Sequence, residues 1–126
     1  MSLENGSADV LARHLRALRE RRWLDLRVTQ QQLAEAFGDD QPLSLSLISS
    51  WESAHKPVKP PLRRLRQYAL FFATRRSVVD GHPRLLRDEE LTPAEQQERD
   101  NLYNELARLR DPDDVEPLLP APRLPL

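Results

Sequence analysis

Cysteine is absent from this chain, and glycine is scarce, with three residues in all. Without cysteine there is no disulfide, no thiolate zinc site and no thiol nucleophile, and nothing indicates an oxidising compartment. Three glycines leave little room for a glycine-rich loop of the kind that holds phosphates. The sequence also lacks an apolar run long enough to span a membrane, and its start has no signal-peptide pattern. We therefore expect a cytoplasmic protein, in a bacterial setting, that does not associate with membranes.

The polar residues form no pattern that is typical of a catalytic or metal site. The histidines, His14, His55 and His82, are far apart in sequence and have no partners at the spacing of a metal site or a catalytic triad. The two pairs of adjacent aspartates lie in polar stretches where solvation by water explains them. We predict a protein that is not an enzyme, with no catalytic residues, no metal and no cofactor.

Charge is distributed unevenly along the 126 residues, although the formal net charge is only -1. Residues 1–87 contain 15 Lys and Arg against 9 Asp and Glu, a net charge of +6. Residues 88–126 contain 4 Lys and Arg against 11 Asp and Glu, a net charge of -7. This division is typical of a polyanion-binding domain whose electrostatic field is opposed by its own C-terminal part. An ordinary uneven surface is the alternative interpretation.

The most informative local pattern lies between Thr29 and Glu52. Thr29 followed by Gln32 predicts a capping box, and the apolar residues after it predict a short helix that Gly38 ends. After a polar turn, Ser44 is placed to cap a second short helix. The predicted inward faces consist of Leu33, Ala34 and Phe37 in the first helix and of Leu47, Ile48 and Trp51 in the second. Two short helices joined by a glycine-bearing turn are typical of a helix-turn-helix.

This stretch resembles the DNA-binding unit of the Cro/phage-repressor (XRE-like) family, whose pattern is TQxxLAxxxG, a short turn and SxxxISxWE. The corresponding segments are TQQQLAEAFG at residues 29–38 and SLSLISSWE at residues 44–52. LRALRE at residues 15–20 is similar to the family's first helix, and residues 64–77 are similar to an actinobacterial subgroup. The resemblance covers residues 10–73, and it implies double-stranded DNA binding by a transcriptional regulator, as a dimer or as a module of a larger assembly.

The family docks the second helix of the motif in the major groove of DNA. By correspondence, the residues that would face DNA are Gln30, Gln31, Ser44, Leu45, Ser46, Ser49, Ser50, His55, Lys56, Lys59, Arg63 and Arg64. The outward face of the second helix has no arginine, asparagine or glutamine, the usual strong readers of guanine and adenine. Direct base readout is therefore expected to be weak, with phosphate contacts dominating the affinity. The resemblance further implies that Glu52 pairs with Arg19, or alternatively with Arg16.

Two insertions depart from the family pattern. Residues 23–27 follow the first helix, which Ser7 is predicted to cap, and this insertion could lengthen that helix. Residues 39–42 lengthen the turn inside the motif. Pro42 either makes this turn rigid or supplies the first turn of a helix that starts earlier.

The remaining chain predicts two further helices. One follows the proline-rich loop at residues 53–61, and the other begins at Thr92-Pro93 with a second capping signature. The apolar residues of this last helix are Leu102, Leu106 and Leu109. We predict an all-α protein whose compact helix-turn-helix domain, of four to five helices, comprises residues 7–76. A connector at 77–91, an acidic amphipathic helix at 92–110 and a proline-rich tail or linker at 111–126 follow it.

The predicted core of this domain is one cluster of apolar side chains. It consists of Leu15, Leu18, Leu33, Ala34, Phe37, Ile48, Trp51, Leu62, Leu65, Ala69 and Phe72. The helix at 92–110 is too short to be stable alone, so its leucines must pack on this domain, on a second copy or on another protein. We slightly favour a homodimer or a protein partner. The alternative to DNA binding is a protein-interaction adaptor that uses the same fold and this acidic helix.

Overall fold

Five α-helices make up most of the computed structural model, which describes residues 3–38 and 40–111, with side chains from residue 9 onward. The helices are α1 (Leu3–Arg21), α2 (Gln30–Phe37), α3 (Leu45–Trp51), α4 (Leu62–Phe72) and α5 (Pro93–Arg110). Between α4 and α5, β1 (Val78–Val79) and β2 (His82–Pro83) form an antiparallel hairpin in which Val78 pairs with Pro83. The predicted all-α class is confirmed as a mostly helical fold, but it omitted this small hairpin.

A hydrophobic core joins the five helices and β1. All of the predicted core residues belong to it except Leu62, which is 44% exposed because it is the first residue of α4 and lies at the rim of the core. Tyr68 and Phe71, on the same helix, are fully buried. Tyr68 meets Phe37 edge to face, with ring centroids 5.1 Å apart, a geometry favoured by aromatic pairs. α4 therefore supplies the aromatic centre on which the shorter helices pack.

The start and end of α1 differ from their predicted positions. The helix begins at Leu3, ahead of the predicted cap at Ser7, since extending a helix that is already nucleated costs little. It ends at Arg21, so the inserted residues do not lengthen it. They turn back instead, with Trp23 and Leu26 paired in an isolated antiparallel bridge. The Trp23 ring packs 5.3 Å from that of Phe72, which holds the insertion against α4.

The capping residues of α2 and α3 are placed as predicted. Thr29 Oγ1 accepts from the amide of Gln32 at 3.0 Å, and the Gln32 side chain accepts from the Thr29 amide at 2.9 Å. Ser44 Oγ accepts from the amide of Leu47 at 3.3 Å. These bonds satisfy amides that a helix start leaves without partners. The Leu47 side chain, predicted to face inward, is 38% exposed because it lies about 100° around α3 from Ile48.

The turn between α2 and α3 requires a glycine for steric reasons. Gly38 has an extended backbone with φ of -85°, but a Cβ there would lie 2.0 Å from the carbonyl oxygen of Gln41. The amide of Leu43 donates to the carbonyl of Ala34 at 2.9 Å and closes the turn. α3 begins at Leu45, so Pro42 belongs to the turn and does not start the helix early.

α5 starts at the predicted Thr92 capping box, with Pro93 in the first turn, and packs on α1 and α4. Leu102 and Leu106 are buried in the common core. The structure thus shows α5 packed against its own chain. This differs from the slightly favoured prediction, in which α5 packs on a second copy or on another protein. None of the described helices is long and apolar enough to cross a membrane. The predicted tail lies outside the described residues, apart from Asp111.

Candidate nucleic-acid interface

A buried ion pair fixes the C-terminal end of α3 to α1. Arg19 Nε donates to both carboxylate oxygens of Glu52, at 2.9 and 3.1 Å, and Arg19 Nη2 lies 2.8 Å from Glu52 Oε1. The two side chains are only 11% and 3% exposed. The predicted pair of Arg19 and Glu52 is therefore confirmed. The alternative partner, Arg16, instead bonds Glu20 at 3.1 Å on the surface of α1.

Further hydrogen bonds connect the Arg19–Glu52 pair to the start of α2 and to the residues before it. Arg19 Nη1 donates to the carbonyl of Val28 at 3.0 Å, and Gln30 Nε2 donates to Glu52 Oε1 at 3.1 Å. Burial alone would lower the pKa of Arg19, but its hydrogen bond to Glu52 and the charges of Glu52 and Glu20 outweigh that effect and raise the pKa. The guanidinium therefore stays charged, and the negative charge of Glu52 is compensated inside the protein.

An open depression runs along α3 and the loop that follows it. Its lining consists of Gln30, Leu45, Ser46, Ser49, Ser50, Ser53, Lys56 and Val58, which we call the α3 surface. The amide of Val58 donates to the carbonyl of Ser50 at 3.2 Å, and the amide of Lys56 donates to Ser53 Oγ at 3.2 Å. These bonds fold the loop back onto α3. The lining contains one cation and no carboxylate, so its charge suits a polyanion.

The serine hydroxyls of the α3 surface differ in whether they already make a hydrogen bond within the protein. Ser50 Oγ donates to the carbonyl of Leu47 at 2.7 Å, within the helix. Ser46 and Ser49 are exposed, and their hydroxyls make no hydrogen bond within the described part of the chain. Two hydroxyls that can each donate or accept are thus presented to an outside partner.

The structure gathers half of the predicted DNA-facing residues on the α3 surface. Those residues are Gln30, Leu45, Ser46, Ser49, Ser50 and Lys56. Four others lie outside its lining: Gln31 and Arg63 are exposed near the starts of α2 and α4, Ser44 is the cap of α3, and His55 is exposed in the loop. The remaining two, Lys59 and Arg64, are bound to other parts of the protein.

Lys59 and Arg64 were predicted to hold phosphate, but each has a partner within the fold. Lys59 Nζ lies 3.2 Å from Asp111 Oδ1, at the C-terminal cap of α5. Arg64 Nη1 donates to the carbonyl of Phe37 at 3.2 Å and to Gln67 Oε1 at 2.8 Å. The Phe37 carbonyl is one of those that a helix end leaves without a helical partner, which explains why an arginine turns toward it.

Ser53 and Val58, which complete the α3 surface, are not among the residues predicted to face DNA. Ser53 had a usable signal, because a serine just before a turn commonly bonds a nearby backbone amide. Val58 had none, since its position depends on how the proline-containing loop folds back on α3. It is placed by its amide bond to Ser50 and not by any periodic pattern.

Positive charge elsewhere on the molecule is largely paired. Arg22 bonds Glu98 and Arg76 bonds Glu95, so that cations near the ends of α1 and α4 are neutralised by α5. Lys56, in contrast, is among the described cations that have no acidic partner within 4.0 Å. The charge available to an anion is therefore smaller than the net charge of residues 1–87 indicates.

No group of three or more His, Asp or Glu side chains within residues 9–38 and 40–111 could hold a metal ion. Comparison of the chain with models of protein families, with curated proteins and with solved structures finds no match. The interpretation of the α3 surface consequently depends on its own residues and on the motif they form.

Proposed function

We propose that this chain is a double-stranded DNA-binding module of the helix-turn-helix type that serves in transcription regulation. The observation that carries the proposal is the α3 surface, an exposed helix face with two free serine hydroxyls, one unpaired lysine and no carboxylate. α3 would lie in the major groove, while α1 and α2 brace it from behind. The role is one of binding without catalysis.

The dimensions of α3 suit this role. An α-helix with its side chains is about 10–12 Å across and the major groove is about 12 Å wide, so the exposed face of α3 (Leu45–Trp51) can enter it. The buried bond of Arg19 to Glu52 fixes the end of α3 without placing a charged side chain on its outer face. A helix held in this way can approach base edges without first rearranging, and that lowers the cost of association.

Affinity on this surface would come mainly from phosphate contacts. Lys56 and Arg63 are exposed cations without an acidic partner among the described residues, and both follow α3 in sequence. Serines accept several bases, so one copy would discriminate weakly between sequences. Two half-sites read by a dimer, or by a larger assembly, would supply the missing specificity.

The adaptor hypothesis depended on α5 as a docking helix. Leu102 and Leu106 are buried against the rest of this chain, so a partner would reach them only after α5 had separated from the core. No such rearrangement is required for the α3 surface, which is already open. DNA binding is therefore the better supported proposal.

The test measures the affinity of the full chain for a fluorescent duplex of random sequence over a range of salt concentrations. Lys56→Ala is expected to weaken binding on all sequences and to reduce the slope of log affinity against log salt by about one. Arg87→Ala removes the same charge from the connector, and we expect a smaller change. If wild type binds no duplex at low salt, the proposal is wrong. Equal effects of the two variants would instead show that Lys56 makes no specific phosphate contact.

A further inference from the structure

Apolar side chains form part of the α3 surface, next to its serines and lysine. Leu45 is 49% exposed and Val58 is 48% exposed, and both line the depression. Leu45 is the first residue of α3, directly after the Ser44 cap, and Val58 is held by its amide bond to the Ser50 carbonyl. The backbone at both positions is thus held by the helix or by a hydrogen bond, and both side chains are about half exposed to water when the protein is free.

The polar groups of the α3 surface cannot by themselves identify a base. A serine hydroxyl both donates and accepts, and no arginine or asparagine lines the depression. Its single glutamine, Gln30, already donates to Glu52. In the major groove the feature that an apolar side chain can recognise is the C5 methyl group of thymine. A lining that combines apolar side chains with a cation and lacks acids suits a polyanion that presents methyl groups.

We propose that Leu45 and Val58 recognise thymine C5 methyl groups, so that the α3 surface selects duplexes by the methyl pattern of the major groove. This inference rests on the proposed DNA binding and specifies the chemical feature by which one duplex would be preferred over another. Transfer of one methyl group from water into an apolar contact raises affinity about fourfold. Contacts from both side chains would therefore raise it by about an order of magnitude.

The experiment compares two duplexes, alternating poly(dA-dT) and alternating poly(dA-dU), which differ only in the C5 methyl group. The full chain is expected to bind the thymine duplex at least about fourfold more tightly. In the double variant Leu45→Ala, Val58→Ala the ratio should fall to near one, while affinity for the uracil duplex is retained. Leu24→Ala, which removes a fully exposed leucine in the turn after α1, serves as the control and should leave the ratio unchanged.

The outcomes separate this inference from the DNA-binding proposal. Equal affinity of wild type for both duplexes overturns methyl recognition and leaves DNA binding intact, whereas no binding to either overturns both. A ratio that persists in the double variant assigns the effect to duplex shape and overturns the role of the two side chains. If the double variant does not fold by circular dichroism, Val58→Ser replaces it. This change removes both side-chain methyl groups, and an unchanged ratio in the folded single variant excludes a contact by Val58.

Discussion

The α3 surface and the contact face of α5 use polar residues in opposite ways. On α5, Glu98 and Glu95 pair with Arg22 and Arg76, so that charges on one part of the chain satisfy those on another. On the α3 surface the hydroxyls of Ser46 and Ser49 have no such partner among the described residues. Part of the charge division seen in the sequence is therefore taken up by ion pairs between α5 and the rest of the chain. What remains for an outside partner is a small, weakly charged area.

The two regions meet at the loop before α4. Lys59 pairs with Asp111, and Arg110 Nε donates to the carbonyl of Pro60 at 2.7 Å. The C-terminal end of α5 is thereby attached next to the cations that follow α3. The end of the acidic helix thus binds Lys59, which is predicted to contact phosphate, in line with a C-terminal part that opposes the field of the basic part.

The largest expected effect concerns the ion pair that supports α3. Glu52→Ala leaves Arg19 buried without its partner and is expected to reduce the free energy of unfolding by about 3–5 kcal/mol. Glu98→Ala removes the partner of Arg22 at a more exposed site and should cost about 1 kcal/mol or less. Urea denaturation measures both. Similar losses in the two variants would contradict the distinction between a buried support for α3 and surface pairs on α5.

The second prediction tests whether α5 is part of the same cooperative unit as α3. Leu106 is fully buried, so Leu106→Ala should reduce the free energy of unfolding by about 2–5 kcal/mol, with a single transition retained. Leu24→Ala, at a fully exposed site, should change it by less than about 0.5 kcal/mol. Separate transitions, followed by fluorescence and by circular dichroism, would show that α5 unfolds independently of the rest.

Local features of the fold could be predicted from the sequence, because each depends on neighbours in the chain. The caps at Thr29, Ser44 and Thr92 follow from side chains that reach amides a few residues away. The pair of Arg19 and Glu52 is a long-range contact, and only the resemblance to a known motif predicted it. The β1–β2 hairpin was missed because strands of two residues carry no alternation, although Asp80-Gly81, both with positive φ, marked its turn.

Tertiary placement accounts for what could not be predicted. The leucines of α5 must be buried, but helical periodicity does not indicate whether they pack against the same chain or against another one. Correspondence with the family motif placed Arg64 in the candidate site, yet its guanidinium reaches the end of α2. Six of the eight lining residues were predicted, since the outward face of α3 follows from helical spacing and from the motif. The position of Val58 depends on how its loop packs against α3, and that of Lys59 depends on the position of Asp111 at the end of α5. Neither follows from a local sequence pattern.

The third prediction concerns a polar group buried beneath the α3 surface. The Tyr68 hydroxyl is buried and has no hydrogen-bond partner among the described residues, and burial together with the charge of Glu52 raises its pKa well above the usual value. Tyr68→Phe should therefore increase the free energy of unfolding by about 1 kcal/mol. Tyr103→Phe, at a half-buried ring that Arg66 covers, should leave it nearly unchanged. A loss of stability in Tyr68→Phe would show that the hydroxyl is bonded in solution.

The smallest effect, and the finest test of the surface pairs on α5, is the pH dependence contributed by Glu95. A hydrogen bond from Arg76, together with the Thr92 amide, lowers the pKa of Glu95 from 4.5 to about 2. Because this pKa is lower in the folded state, the stabilisation is fully present above about pH 4.5 and is lost as the pH falls toward about 2.

Glu95→Gln can keep the capping box but loses the charge. The difference in unfolding free energy between wild type and Glu95→Gln should therefore be constant above about pH 4.5 and shrink below it. A difference that stays constant down to about pH 2 would show that the bond to Arg76 contributes nothing measurable in solution.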